Sequence, residues 1–144
     1  MNQTRRQLKI KAELSQLDAV LGFLEETLEE VQCPMKEITQ ICIAVEEIFV
    51  NIANYAYPEP GGDCVLDLTV CKGEACEKSE LRLLVSDSGK RFDPLAKKDP
   101  DITLSADERD IGGLGIWMVK QSMDCVEYKY ENEQNQLLLV KSWE

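Results

Sequence analysis

Glu47 and Asn51 stand four residues apart in a run whose apolar members, Ile38, Ile41, Val45, Ile48, Phe49 and Ile52, recur at helical spacing. Both lie off that stripe, so they project from neighbouring turns of one helix face and present a carboxylate beside a carboxamide. A carboxylate can take the proton of an attacking hydroxyl, and a carboxamide oxygen is a hard, neutral ligand suited to Mg2+. Asp87 ends a second informative run, in which Leu81, Leu83 and Val85 alternate with Arg82, Leu84 and Ser86. Period-two alternation turns its carboxylate to the apolar face, where it is costly unless hydrogen-bonded. A buried carboxylate of this kind can accept from the exocyclic amine of adenine, and Gly89 removes a side chain where a flat base must approach. Gly112, Gly113 and Gly115 lead into a helical run from Ile116 to Met123, and N–H groups exposed at a helix start favour phosphate.

The elements that must position these residues follow from patterning. Leu8, Ile10 and Ala12 alternate with Lys9 and Lys11, the signature of a half-buried strand. Ser15 starts a helix with Asp18 as a variant capping box; Leu17, Val20, Leu21, Leu24, Leu28 and Val31 are its buried stripe, and Cys33-Pro34 ends it. Pro34 suits the first turn of the next helix, from about Met35 to about Tyr57, which Pro58, Pro60, Gly61 and Gly62 stop. Leu66, Leu68 and Val70 alternate along a strand that a polar loop joins to the Asp87 strand as a hairpin. From Lys90 to Asp110 periodicity is lost over a length that marks a functional lid or disorder. A closing hairpin runs from Val126 through a turn at Asn132 to Asn135 and returns from Leu137 to Trp143. Strand, two helices, two strands, lid, helix and two strands make an α+β, two-layer α/β sandwich: a mixed, mostly antiparallel sheet covered on one face by helices. No repeat or linker divides residues 1–144, so a single domain is expected, with a lid at about 90–112.

Composition narrows the chemistry. The formal net charge of -11 opposes a nucleic-acid partner, although backbone N–H groups and a metal can still neutralise a small anion locally. With no histidine, the chain has no Ser-His-Asp or Cys-His engine, no imidazole-ligated metal and no phosphohistidine of its own. Six cysteines without a Cys-x-x-Cys pair read as reduced, small hydrophobes. No secretory signal and no apolar run of the roughly 18 residues needed to span a bilayer is present, which implies no membrane partner and a cytoplasmic location.

The order and spacing of the three stretches resemble the GHKL ATPases, the superfamily of gyrase, the heat-shock chaperone ATPases, the histidine kinases and MutL. Glu47-x-x-x-Asn51 looks like the N box, Asp87-Ser-Gly89-Lys-Arg-Phe92-Asp93-Pro94 like the first glycine box, and Gly112-Gly-Leu-Gly115 like the second. The small branch of bacterial anti-sigma factors that are also serine-protein kinases is most similar, in length, in the aromatic pair Tyr55 and Tyr57, and in the Phe-Asp-Pro ending. The resemblance implies a Bergerat-type ATP-binding fold, with Glu47 as general base, Asn51 as Mg2+ ligand, Asp87 as the adenine-reading carboxylate and Gly89 in the base pocket. It places Gly113 and Gly115 by the phosphates; Arg109 is expected, from its position on the lid alone, to contact the γ-phosphate. It further implies ATP and Mg2+ as cofactors, an anti-anti-sigma protein as phosphorylation substrate, a sigma factor as the sequestered partner, and a homodimer. Three positions depart from the pattern: Arg91 replaces a second glycine, Ala56 replaces the glycine between the aromatics, and no Gly-Thr third box precedes the last strand. The competing reading is a non-catalytic, ATP-dependent protein-binding module of the same fold.

Overall fold

A computed structural model of the chain describes residues 2–73, 77–96 and 113–144. Its frame is a sheet of five strands: β1 (Asn2–Lys11), β2 (Asp63–Lys72), β3 (Ser79–Asp87), β4 (Cys125–Glu131) and β5 (Gln134–Trp143). Their spatial order is β1-β2-β3-β5-β4, and every pairing is antiparallel. Helices α1 (Leu17–Glu30), α2 (Met35–Tyr55) and α3 (Gly113–Ser122), with 3-10 turns at Leu14–Gln16 and Pro94–Ala96, complete the described elements. The expected α+β sandwich is present, and its sheet is antiparallel throughout the described strands.

Alternation decides which face of the sheet is buried. Cys64, Leu66, Leu68 and Val70 of β2, Leu81, Leu83 and Val85 of β3, and Leu137 and Leu139 of β5 turn inward. They meet Val20, Leu24 and Leu28 of α1 and Ile38, Ile41, Val45, Ile48 and Phe49 of α2 in one core. Each fully buried aliphatic or aromatic side chain there contributes about 2 kcal/mol. The apolar stripes read from the sequence are thus the stripes that pack.

Local differences have local causes. β1 extends back to Asn2, beyond the run Leu8 to Ala12, because ten-residue β2 offers ladder partners as far as Asn2 opposite Lys72. No capping box forms at Ser15: a 3-10 turn spans Leu14–Gln16 and α1 starts after it with no side-chain cap. The helix instead closes at its C-terminus, where the N–H of Cys33 donates to the carbonyl of Leu28 at 2.9 Å and that of Gln32 to Glu29 at 3.0 Å. This is the Schellman arrangement, and it holds Gln32 at φ 62°, a conformation usually left to glycine. The final turn is shorter than expected: Asn132 and Glu133, at φ 55° and 60°, make a two-residue reversal, and Asn135 already belongs to β5.

Candidate functional site

α2 carries Glu47 and Asn51 on one face, as their spacing requires, and the Asn51 amide approaches Glu47 Oε1 at 3.4 Å. With its Nδ2 turned to the carboxylate, Asn51 keeps its Oδ1 as an acceptor. Gly115 of α3 lies against the same carboxylate, where a Cβ would overlap the Glu47 oxygens. The first turn of α3 therefore closes on Glu47, and any larger residue at 115 would have to displace that carboxylate.

β3 delivers Asp87 to the inner face, where it is 7% exposed. Its Oδ1 accepts from the N–H of Gly89 at 2.9 Å and from Asn135 Nδ2 at 3.0 Å. Burial pushes the carboxyl above its ordinary range, and these two hydrogen bonds pull it partly back. Gly89 has a packing reason for its identity, since a Cβ there would overlap the carbonyl and side chain of Ala56 at the end of α2. The N–H of Lys90 donates to that same Ala56 carbonyl at 2.7 Å, locking the loop to the helix.

Tyr57 ties three segments together. Its hydroxyl donates to the carbonyl of Asp63 at 2.5 Å and accepts from the N–H of Ser88 at 2.8 Å, and its ring packs on Gly62. The end of α2, the start of β2 and the loop after Asp87 are thereby held in one geometry.

Between these elements lies a cavity of about 440 Å3. Ile48, Ile52, Val85, Ile116 and Leu137 form apolar walls; Asn51, Asp87, Lys90, Arg91, Tyr128 and Asn135 supply polar groups. Tyr55 and Phe92, 73% and 46% exposed, also line it. Arg91 stacks over the Tyr130 ring, 5.0 Å from its centroid. Largely apolar walls with few convergent polar groups are the usual form of a site for a small organic ligand.

The structure thus brings Asn51 and Asp87 to one cavity, with Glu47 and Gly115 in contact beside it. Gly113 opens α3. Arg109, Gly112 and positions 97–112 of the expected lid lie outside the described residues, as does Cys76. Sequence reading missed Asn135, assigning it to a turn. Stepping back by twos from Leu139 and Leu137 would have placed it on the buried face, by the same alternation that placed Asp87.

The cavity suits a nucleotide: apolar walls fit a flat base, and among the described residues both hydrogen bonds to Asp87 fall on Oδ1. For a metal, no cluster of three acidic or sulfur ligands exists among the described residues. One carboxamide oxygen beside a carboxylate is a donor set that would fit Mg2+ shared with phosphate and water. Cys33 and Cys64 are pushed up to about 12 and Cys42 to about 11, chiefly by burial, which keeps these thiols protonated and inert. No helix among the described residues is long and apolar enough to cross a membrane.

Residues 10–141 match a family model described as a histidine kinase-like ATPase domain. A serine/threonine-protein kinase of Bordetella bronchiseptica, BtrW, is 25% identical over 100 residues, covering 69% of this chain and 67% of that protein. A serine-protein kinase of Listeria monocytogenes, RsbW, is 28% identical over 123 residues, covering 82% and 68%. In three dimensions the chain superposes on a crystal structure of the RsbU and RsbW domains of a Mycobacterium tuberculosis protein with a TM-score of 0.64 at 16% identity. That alignment covers 98% of this chain and about a third, 33%, of the longer one, and it establishes the shared fold.

Proposed function

The chain belongs to the histidine kinase-like ATPase domain family, and from that premise we propose that it binds Mg-ATP and phosphorylates a serine or threonine of a partner protein. The observation that carries the reading is the convergence of buried Asp87, the Asn51 carboxamide and the Glu47 carboxylate on and beside one apolar cavity. Asp87 reads the adenine amine, and the Ile48, Ile52, Val85 and Leu137 side chains exclude water around the base. Asn51 offers its oxygen to Mg2+, which supplies positive charge to the transferring phosphoryl group.

Glu47 acts as the base that takes the proton of the acceptor hydroxyl. Nucleotide binding alone has no use for such a group, and Gly115 leaves room for it at the start of α3. Gly113 and Gly115 open a helix whose first N–H groups attract the phosphates, Gly89 backs the base pocket, and Arg109 reaches the γ-phosphate from a lid at about 90–112. Two similarities support the kinase assignment, since the matched relatives from Bordetella and Listeria are named as serine or serine/threonine kinases. The resemblance of the three boxes to the anti-sigma branch extends the proposal to the partners: an anti-anti-sigma protein as substrate and a sigma factor as the sequestered protein, through a homodimer, with the cytoplasm as the proposed location.

Incubation with γ-labelled ATP and a co-purified partner tests the reading. Glu47→Gln is expected to lower transfer by at least about a hundredfold, as loss of a general base does, with ATP affinity retained. Undiminished transfer by that variant removes Glu47 from the chemistry. ATP-dependent association without transfer in the wild type would establish the binding module instead.

A further inference from the structure

Asn135 occupies the position from which Asp87 is controlled. It is 7% exposed and all its hydrogen-bonding capacity is engaged. Nδ2 donates to Asp87 Oδ1 at 3.0 Å and to the carbonyl of Lys90 at 2.9 Å; Oδ1 accepts from the N–H of Phe92 at 3.0 Å and from the Tyr128 hydroxyl at 2.6 Å. Two acceptors face the nitrogen and two donors face the oxygen, so only one amide orientation satisfies the site. The side chain cannot swing away without breaking four hydrogen bonds.

The consequence falls on the carboxylate. Asp87 Oδ1 already receives two hydrogen bonds, from Gly89 and Asn135, which fills its lone pairs. Among the described residues Oδ2 receives no hydrogen bond. Asp87 lines the cavity, which makes that oxygen its one open acceptor.

We propose that Asn135 is a positioning and specificity-determining residue that leaves Asp87 a single accepting oxygen, so that the cavity selects a 6-aminopurine over a 2-amino-6-oxopurine. The inference rests on the ATP-binding reading and deepens it. An adenine presents one amine for one oxygen. A guanine presents N1–H and the 2-amino group side by side, a two-donor edge that needs both oxygens of a free carboxylate, and its O6 opposes the carboxylate in the adenine-like pose. Asn135 denies the two-oxygen arrangement. It also holds the backbone of Lys90 and Phe92, so the loop entering residues 97–112 is fixed to the base-reading group.

Asn135→Leu, of similar volume and without the amide, and Asn135→Thr, whose hydroxyl can still donate to Asp87, test this by calorimetric titration with Mg-ATP and Mg-GTP. The wild type is expected to prefer ATP. Asn135→Leu should reduce the ATP-to-GTP preference by about tenfold, the scale of one hydrogen bond to a charged group, and Asn135→Thr should restore part of it. The acid limb of ATP binding should also move to higher pH in Asn135→Leu, because the lost hydrogen bond holds the Asp87 carboxyl down. The other titratable groups around Asp87 are Tyr57 and Cys64, with Tyr128, Lys90 and Arg91 in the cavity wall.

A folded Asn135→Leu with wild-type preference and an unmoved acid limb overturns the role of Asn135 while leaving ATP binding intact. If the leucine variant does not fold, the wild type alone decides: equal affinity for ATP and GTP overturns the proposal. Binding of neither nucleotide by the wild type overturns the reading beneath it.

Discussion

Removing one oxygen atom from Tyr57 tests whether the loop carrying Asp87 is held by the hydroxyl or by packing. Tyr57→Phe keeps the ring on Gly62 but deletes the donor to Asp63 at 2.5 Å and the acceptor of Ser88 N–H at 2.8 Å. At about 1 kcal/mol net for each hydrogen bond, the loss is about 2 kcal/mol. A 144-residue domain has an unfolding entropy near 0.3 kcal/mol/K, from about 2.1 cal/mol/K per residue, so its midpoint should fall by about 7 °C. Differential scanning calorimetry reads this directly. Because Ser88 lies between Asp87 and Gly89, Mg-ATP affinity should fall by several-fold as well, measured by calorimetric titration. A midpoint within 1 or 2 °C of wild type, roughly the effect of a neutral surface change, with unchanged affinity, would refute the claim that this hydroxyl organises the site.

Three further outcomes are expected. The buried Asp87 carboxyl has a raised folded pKa, so the stability from its proton is full below the ordinary value of 3.8 and is lost as pH rises through the folded value. Ionised Asp87 therefore costs stability at neutral pH. Asp87→Asn should melt at or above wild type there while losing Mg-ATP binding, and the difference in melting should close as pH falls toward the ordinary carboxyl range; a lower melting point at neutral pH would contradict this. Gln32→Gly relieves a side chain held at φ 62° and should raise stability by about 0.5–1 kcal/mol in urea unfolding, less the exposed contact from Lys72; a destabilised variant would show that this contact outweighs the strain. Cys64, fully buried with its thiol pushed up to about 12, should resist alkylation in the native protein and react on unfolding; rapid native labelling would show that the core beneath Asp87 opens.

Much of the architecture was legible because it rests on one-dimensional periods. The stripes of α1 and α2 and the alternation in β2 and β3 are burial patterns, and burial is what the sheet and helices share. Asp87 was found the same way, as the fourth residue in phase with Leu81, Leu83 and Val85. Where end effects decide, the pattern failed: Ser15 offered a cap that the chain does not use, and the turn was drawn two residues too long. That second error hid Asn135.

The amino-acid sequence by itself determined which face of each element is apolar, that Glu47 and Asn51 share a helix face, and that Asp87 points inward, because each is a matter of spacing along one chain. Only the tertiary structure decided what those groups meet. Asp87 lies 48 residues from Asn135, and the two are joined because β3 pairs with β5 in a register that sets Asp87 opposite Asn135. Gly115 touches Glu47 because α3 packs on α2, and Tyr57 reaches Ser88 because the sheet returns beneath the end of α2. Such contacts depend on strand order and register, which many pairings of the same strands would satisfy locally and which the common core selects.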